Sequence, residues 1–337
     1  MSGARPVIFL CVSLLVVDVG CRSEGVPATA GPTREDHPIG VPAGTRIADG
    51  TTTVPVKWAG SFPLVSVMLN GRGPHEFVLD TGLTGLVLSP RIAGNRYTGR
   101  WAAFDDSMGR VQRCPIVKVH SLTIANAEFV DLEAIVLPLD GLVGRKHGVE
   151  VLGVIGIRTF AQCRLGLDLA EGQILLEEPA GRYRLEQTLP LEVHKTGLPS
   201  VLLEIGGTRQ SFTIDTGSDA AVCIPGSVAA KLGLGPPTAT VTRRYFHGVA
   251  KTQRRVLRGS LWVGRHEVPH PPISVGTRSS LIGMPILKQF RVVIDQPAGT
   301  VEFAATRPSE NPRLPPPDEG TDVATMPSEV PGAILKE

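Results

Sequence analysis

The stretch "FTIDTGSDAAVCIP", residues 212 to 225, sets Asp215 between two apolar runs and follows it at once with Thr216, Gly217 and Ser218. Phe, Ile and Val favour pleated strands, and Asp and Gly favour turns, so the stretch reads as strand, tight turn, strand. A hairpin accounts for one such stretch. A second, "FVLDTGLTGLVLSP" at residues 77 to 90, repeats the arrangement with Asp80, Thr81 and Gly82. Two copies raise the question of internal duplication.

The match extends well beyond the two triplets. The run "FPLVSVMLNGRGPHEFVLDTG" at 62 to 82 lies opposite "LPSVLLEIGGTRQSFTIDTG" at 198 to 217, with Asp80 aligned to Asp215. Farther on, "SLTIANAEF" at 121 to 129 answers "SLWVGRHEV" at 260 to 268, and Gly109 and Gly248 each stand 12 residues before the serine. Both copies end alike, with "VIGIRTFAQCRLGLDLAEGQILLE" at 154 to 177 against "LIGMPILKQFRVVIDQPAGTVEFA" at 281 to 304. Gly156 thereby meets Gly283, Asp168 meets Asp295 and Gly172 meets Gly299; the later Asp and Gly residues read as turns between terminal strands.

Bulk composition agrees. With 337 residues and 42% hydrophobic content, the chain can bury a large core, and its length suggests two lobes. Gly (38) and Pro (29) are abundant, aromatics make up only 5%, and short Val, Leu and Ile runs recur, which predicts a mainly β fold. The 34 basic and 32 acidic residues are mixed along the chain, and no basic block marks a nucleic-acid surface.

The segment "MSGARPVIFLCVSLLVVDVGC", residues 1 to 21, places Arg5 before an apolar run of 11 residues, Val7 to Val17, which reads as an export signal. Cleavage, retention as an anchor, and acylation of Cys21 after Gly20 all remain open; Asp18 departs from the lipoprotein pattern. The expected location is the cell envelope or the exterior, with membrane contact only through this segment. Cys114, Cys163 and Cys223 form no disulfide framework and read as small packing residues. Residues 22–51 and 307–337, rich in Pro, Gly and Thr, read as a flexible linker and tail. The lobes are then 52–184 and 185–306.

An Asp-Thr-Gly after an apolar strand, paired with an apolar-apolar-Gly element late in the same repeat, resembles the aspartic peptidases, specifically the retropepsin-like group. The pairs are Asp80 with Val154, Ile155 and Gly156, and Asp215 with Leu281, Ile282 and Gly283, and the resemblance covers nearly all of residues 60 to 304. It implies a bilobal fold of two barrel-like β lobes with the active site between them, no cofactor or metal, and a peptide or unfolded protein as substrate. It also implies that Asp80 and Asp215 share one proton, as dyads of this family do, the ionised member activating water and the protonated member donating to the peptide carbonyl. Thr81 and Thr216 would brace the loops through hydroxyl bonds, while Gly82 and Gly217 would allow close backbone approach. Since one chain supplies both halves, a monomer is expected.

The residue after the triplet differs between copies. Ser218 fits the family and is placed to hydrogen-bond Asp215, whereas Leu83 occupies the equivalent place and would shield Asp80, favouring its protonated form. Flap hairpins are expected around Gly109 and Gly248, with Trp101, Phe104 and Tyr245 as candidate flap aromatics or as hairpin packing.

Other chemistries fit less well. "HEVPH" at 266 to 270 spells a zinc-peptidase motif, but that motif needs a helix and Pro269 falls inside it. A glycosidase carboxylate pair does not explain matched Asp-Thr-Gly loops. No Lys follows either Asp as a phosphate-transfer signature requires, and no phosphate-binding glycine loop is present. The competing class is a peptide- or protein-binding module of the cell envelope that keeps the fold without cleaving.

Overall fold

A computed structural model describes residues 8–10, 16–18, 38–105, 110–139, 148–179, 187–193, 197–245 and 248–306. Each half opens with a two-stranded hairpin whose turn follows from its residues. Phe62–Leu69 pairs with Arg72–Asp80 across Asn70 (φ 50°) and Gly71 (φ 74°). Pro199–Ile205 pairs with Thr208–Ile214 across Gly206 (φ 55°) and Gly207 (φ 79°). Two consecutive left-handed residues match the twist of the flanking strands, which is why Asn-Gly and Gly-Gly appear here.

Beyond each Asp-Thr-Gly the chain makes a short strand, Leu86–Leu88 or Val222–Ile224, which pairs in parallel with Ala127–Val136 or Pro272–Val275. A later strand then inserts beside it. Val151–Gly156 runs parallel to Arg72–Asp80, bringing Gly156 level with Asp80, and antiparallel to Leu86–Leu88. Leu281–Ile282 does the same between Thr208–Ile214 and Val222–Ile224. The result is the same psi-shaped crossing in both halves, giving a mainly β, bilobal fold whose helices among the described residues are single turns.

The crossing explains the second pair of glycines. A Cβ on Gly156 would lie 2.2 Å from Gly85 O, and one on Gly283 would lie 2.2 Å from Ala220 O. Neither glycine has a left-handed φ, so the constraint is backbone proximity alone.

The terminal hairpins of the halves, Arg164–Asp168 with Gln173–Glu177 and Phe290–Asp295 with Thr300–Ala305, lie side by side in one sheet. Thr51–Pro55 and Thr188–Val193 extend it on either side. Arg164 fixes the seam, with Nε donating to Asp295 Oδ2 at 2.5 Å and Nη1 to Glu177 Oε2 at 3.4 Å. Gly172 (φ 68°) and Gly299 (φ 64°) close the terminal hairpins, as their turn pattern predicts. The apolar core runs through both lobes, and a second cluster around Val78, Leu83, Phe104, Cys114 and Val154 fills the amino-terminal one.

The linker expected over 22–51 is too long. Ile39 is fully buried, Gly44–Ile47 pairs with Ala127–Val136, and Gly40 N donates to Glu133 O at 2.9 Å. Burying Ile39 and Ile47 against that open strand edge outweighs the turn-rich composition. The apolar run read as an export signal contributes two short strands, Ile8–Leu10 beside Ala239–Tyr245 and Val16–Asp18 beside Tyr97–Asp105. Residues 19–37, 106–109, 180–186 and 307–337, with Cys21 and Gly109 among the sequence expectations, lie outside the described residues.

Gly156→Ala and Gly283→Ala should each lower unfolding free energy by roughly 2 kcal/mol or more, because backbone oxygens cannot yield as a flexible side chain would. Gly226→Ala, which meets nothing within 4 Å, should change it by less than about 0.5 kcal/mol. Urea unfolding followed by fluorescence checks the contrast.

Candidate active site

The two Asp-Thr-Gly loops meet at the interface of the lobes and exchange contacts symmetrically. Thr81 Oγ1 donates to Ile214 O at 2.7 Å and accepts from Thr216 N at 3.0 Å. Thr216 Oγ1 donates to Leu79 O at 2.7 Å and accepts from Thr81 N at 3.0 Å. Each hydroxyl uses its single proton and one lone pair on the opposite lobe, so four buried backbone groups are satisfied by two side chains.

This grip sets the carboxyls. Asp80 Oδ1 accepts from Gly82 N at 2.9 Å, and Asp215 Oδ1 accepts from Gly217 N at 2.8 Å. Each glycine also forms a wall for the opposite acid: a Cβ on Gly82 would sit 2.5 Å from Asp215 Cγ, and one on Gly217 would sit 2.4 Å from Asp80 Cγ. Any side chain at either position would displace the facing carboxyl.

Both aspartates are fully buried. Burial pushes the Asp80 carboxyl well above the usual range, and the charge of Asp215 beside it pushes in the same direction. Asp80 Oδ2 accepts no hydrogen bond from the described residues other than what its facing carboxyl can offer. A proton held between the acids would supply that bond and remove the repulsion of two adjacent anions.

The flanks are unequal, as the sequence suggests. Leu83 is fully buried and packs in the cluster that contains Phe104 and Val154, with its N donating to Asp80 O at 3.1 Å. Ser218 is also buried, and its Oγ accepts from Ala220 N at 3.3 Å. Gly156 N donates to Gly85 O at 2.9 Å and Gly283 N to Ala221 O at 3.0 Å, so the second glycine of each pair props the loop that carries the acid.

Both expected hairpins exist. Tyr97–Asp105 pairs with Val111–Ile124, and Ala239–Tyr245 pairs with Gly248–Val256, where Tyr245 and Gly248 face each other at the tip. Phe104 is fully buried in core, whereas Trp101 is 52% exposed with Arg113 over its ring at 5.7 Å. Their spacing of three residues sends them to opposite faces of one strand, so they cannot share a role. The "HEVPH" stretch forms the strand His266–Pro269, with His266 against the Phe290 ring at 5.4 Å and His270 Nδ1 3.2 Å from Leu257 O. Arg278 and Asp105, which join the two lobes, were not singled out by any motif.

Two psi-crossed lobes, each bringing one Asp-Thr-Gly to a shared buried centre, define the class of bilobal aspartic proteins. The model of the aspartyl protease family matches residues 65–159 and 201–286, one triplet in each segment, and the chain belongs to that family. Basic 7S globulin from soybean aligns with a TM-score of 0.45 and 11% identity, covering 77% of this chain and 95% of that one; so distant a likeness supports nothing further. No curated protein sequence matches the chain.

Because native Asp80 holds its proton to higher pH than an unfolded aspartate, the folded state binds more protons above about pH 3.9, and stability falls as pH rises through that window. Asp80→Asn removes this loss. Its melting temperature should match the parent near pH 3.5 and exceed it progressively toward neutrality; scanning calorimetry across pH would contradict this with a constant offset.

Proposed function

We propose that the protein is an aspartic-type endopeptidase that hydrolyses peptide bonds through a water activated between Asp80 and Asp215. The observation that supports this most is the reciprocal threonine grip, which fixes two buried carboxyls from different lobes against each other. Two acids held this way provide one base and one acid at a single centre.

In this reading Asp80, whose carboxyl is pushed upward by burial and by the charge of Asp215, is the protonated acid, and Asp215 is the base. Water attacks the peptide carbonyl carbon while Asp215 takes its proton, and Asp80 gives its proton to the carbonyl oxygen, forming a neutral gem-diol. In the collapse, the proton on Asp215 passes to the amide nitrogen, the C–N bond breaks, and a diol proton returns to Asp80. The acids end as they began, and water is the sole co-reactant.

Thr81, Thr216, Gly82 and Gly217 hold the geometry in this reading. Gly156, Gly283 and Ser218 support the loops, and the hairpins carrying Trp101, Phe104, Tyr245 and Gly248 border the cleft. An extended or unfolded peptide is the substrate class, and a monomer suffices because one chain supplies both acids. The basic-then-apolar segment before Cys21 supports an exported, cell-envelope enzyme.

Cleavage of an unfolded protein mixture from acid to neutral pH, read by mass spectrometry, tests the proposal. Asp215→Asn should fold normally and lose at least about a thousandfold in rate, since it removes the base from a unit that works only as a pair. Equal cleavage by both proteins would remove Asp215 from the mechanism. Absence of cleavage by the folded parent would favour a binding module, a reading to which Leu83 beside Asp80 lends its only specific support.

A further inference from the structure

Asp80 and Asp215 expose no surface, so a peptide reaches them only after a covering element moves. An ionic contact ties the hairpin of Tyr97–Asp105 and Val111–Ile124 to the opposite lobe. Arg278 Nη1 donates to both carboxylate oxygens of Asp105, at 3.2 and 3.3 Å, although the residues are 173 positions apart.

Each partner is joined through its sequence neighbours to the part of its lobe that carries one acid. Asp105 ends the strand Tyr97–Asp105, and the preceding residue, Phe104, packs in the same core cluster as Leu83, whose N donates to Asp80 O. Arg278 lies in the turn before Leu281–Ile282. In that turn Ser280 O accepts from Thr213 N at 3.0 Å, and Ile282 O accepts from Asp215 N at 3.0 Å. A second ion pair between the halves, Arg164 with Asp295, belongs to the terminal sheet and restrains neither hairpin.

We propose that Arg278 and Asp105 form a latch that holds the amino-terminal hairpin across the lobes and sets how often the Asp80–Asp215 centre opens. The role in opening rests on the peptidase reading above; the latch itself does not. Arg278 is 57% exposed and Asp105 29%, so water and salt screen the pair and its bias is about two- to fivefold. That weakness suits a contact broken and remade in each turnover; a buried pair would resist opening. They are positioning residues, since neither belongs to the Asp-Thr-Gly loops.

Amide hydrogen exchange of residues 97–105 and 110–118 in the full chain, without substrate, measures opening directly. Asp105→Asn and Arg278→Gln should each speed exchange about two- to fivefold, with no further increase in the double variant, because both break the same pair. Exchanging the charges, Asp105→Arg with Arg278→Asp, should restore protection, and 1 M salt should erase the differences. The backbone pairing of Val16–Asp18 with this strand is common to all variants and leaves the comparison unaffected. Unchanged exchange in the single variants, or failure of the charge exchange to restore protection, overturns the latch. Should exchange respond as expected while no variant or parent cleaves peptide, the latch stands and the peptidase reading falls.

Discussion

The structure depends on bringing two carboxyls from different lobes into one buried place and holding them there. Carboxylates repel and resist desolvation, so the arrangement needs support that does not come from the acids themselves. Thr81 and Thr216 provide it, each hydroxyl bonding the opposite lobe's backbone as donor and as acceptor. The glycines follow from the same requirement. Gly82 and Gly217 admit the facing acid, and Gly156 and Gly283 let a second strand cross tightly behind each loop. The shared terminal sheet, pinned by Arg164 against Asp295, keeps the halves together where the acids contribute no cohesion.

Within this near-symmetry the residues after the two triplets differ. Leu83, which follows the first triplet, packs an aliphatic side chain into the amino-terminal core, where the other lobe has the buried Ser218 hydroxyl. Both acids are equally buried, yet their neighbours differ in capacity to stabilise a charge. On the proposed reading, this one difference lets a duplicated scaffold support unlike protonation states, as acid and base roles require.

Much of this was legible in the sequence because the constraints are local. Asn70-Gly71 and Gly206-Gly207 announce their hairpins by the conformations they permit, and the repeated Asp-Thr-Gly and apolar-apolar-Gly elements locate the psi crossings. Phe104 and Trp101 could have been separated too, since an odd spacing within a strand sends side chains to opposite faces. What was not legible depends on distant partners. Arg278 and Asp105 belong to no motif and meet only through the docking of the lobes. Gly44–Ile47 is a strand because Ala127–Val136 offers it an edge, and its Pro- and Gly-rich surroundings conceal that.

The central claim is that Asp80 and Asp215 titrate as one coupled, desolvated unit. Carbon-13 NMR of labelled aspartate carboxyls, followed across pH in the parent and in Asp215→Asn, tests it most directly. The account predicts two well-separated titration steps in the parent. In the variant it predicts a single Asp80 step, lowered by loss of the facing charge yet still above an ordinary carboxylate, because burial remains. A parent Asp80 titrating near the ordinary value of about 4, unmoved by Asp215→Asn, would contradict it.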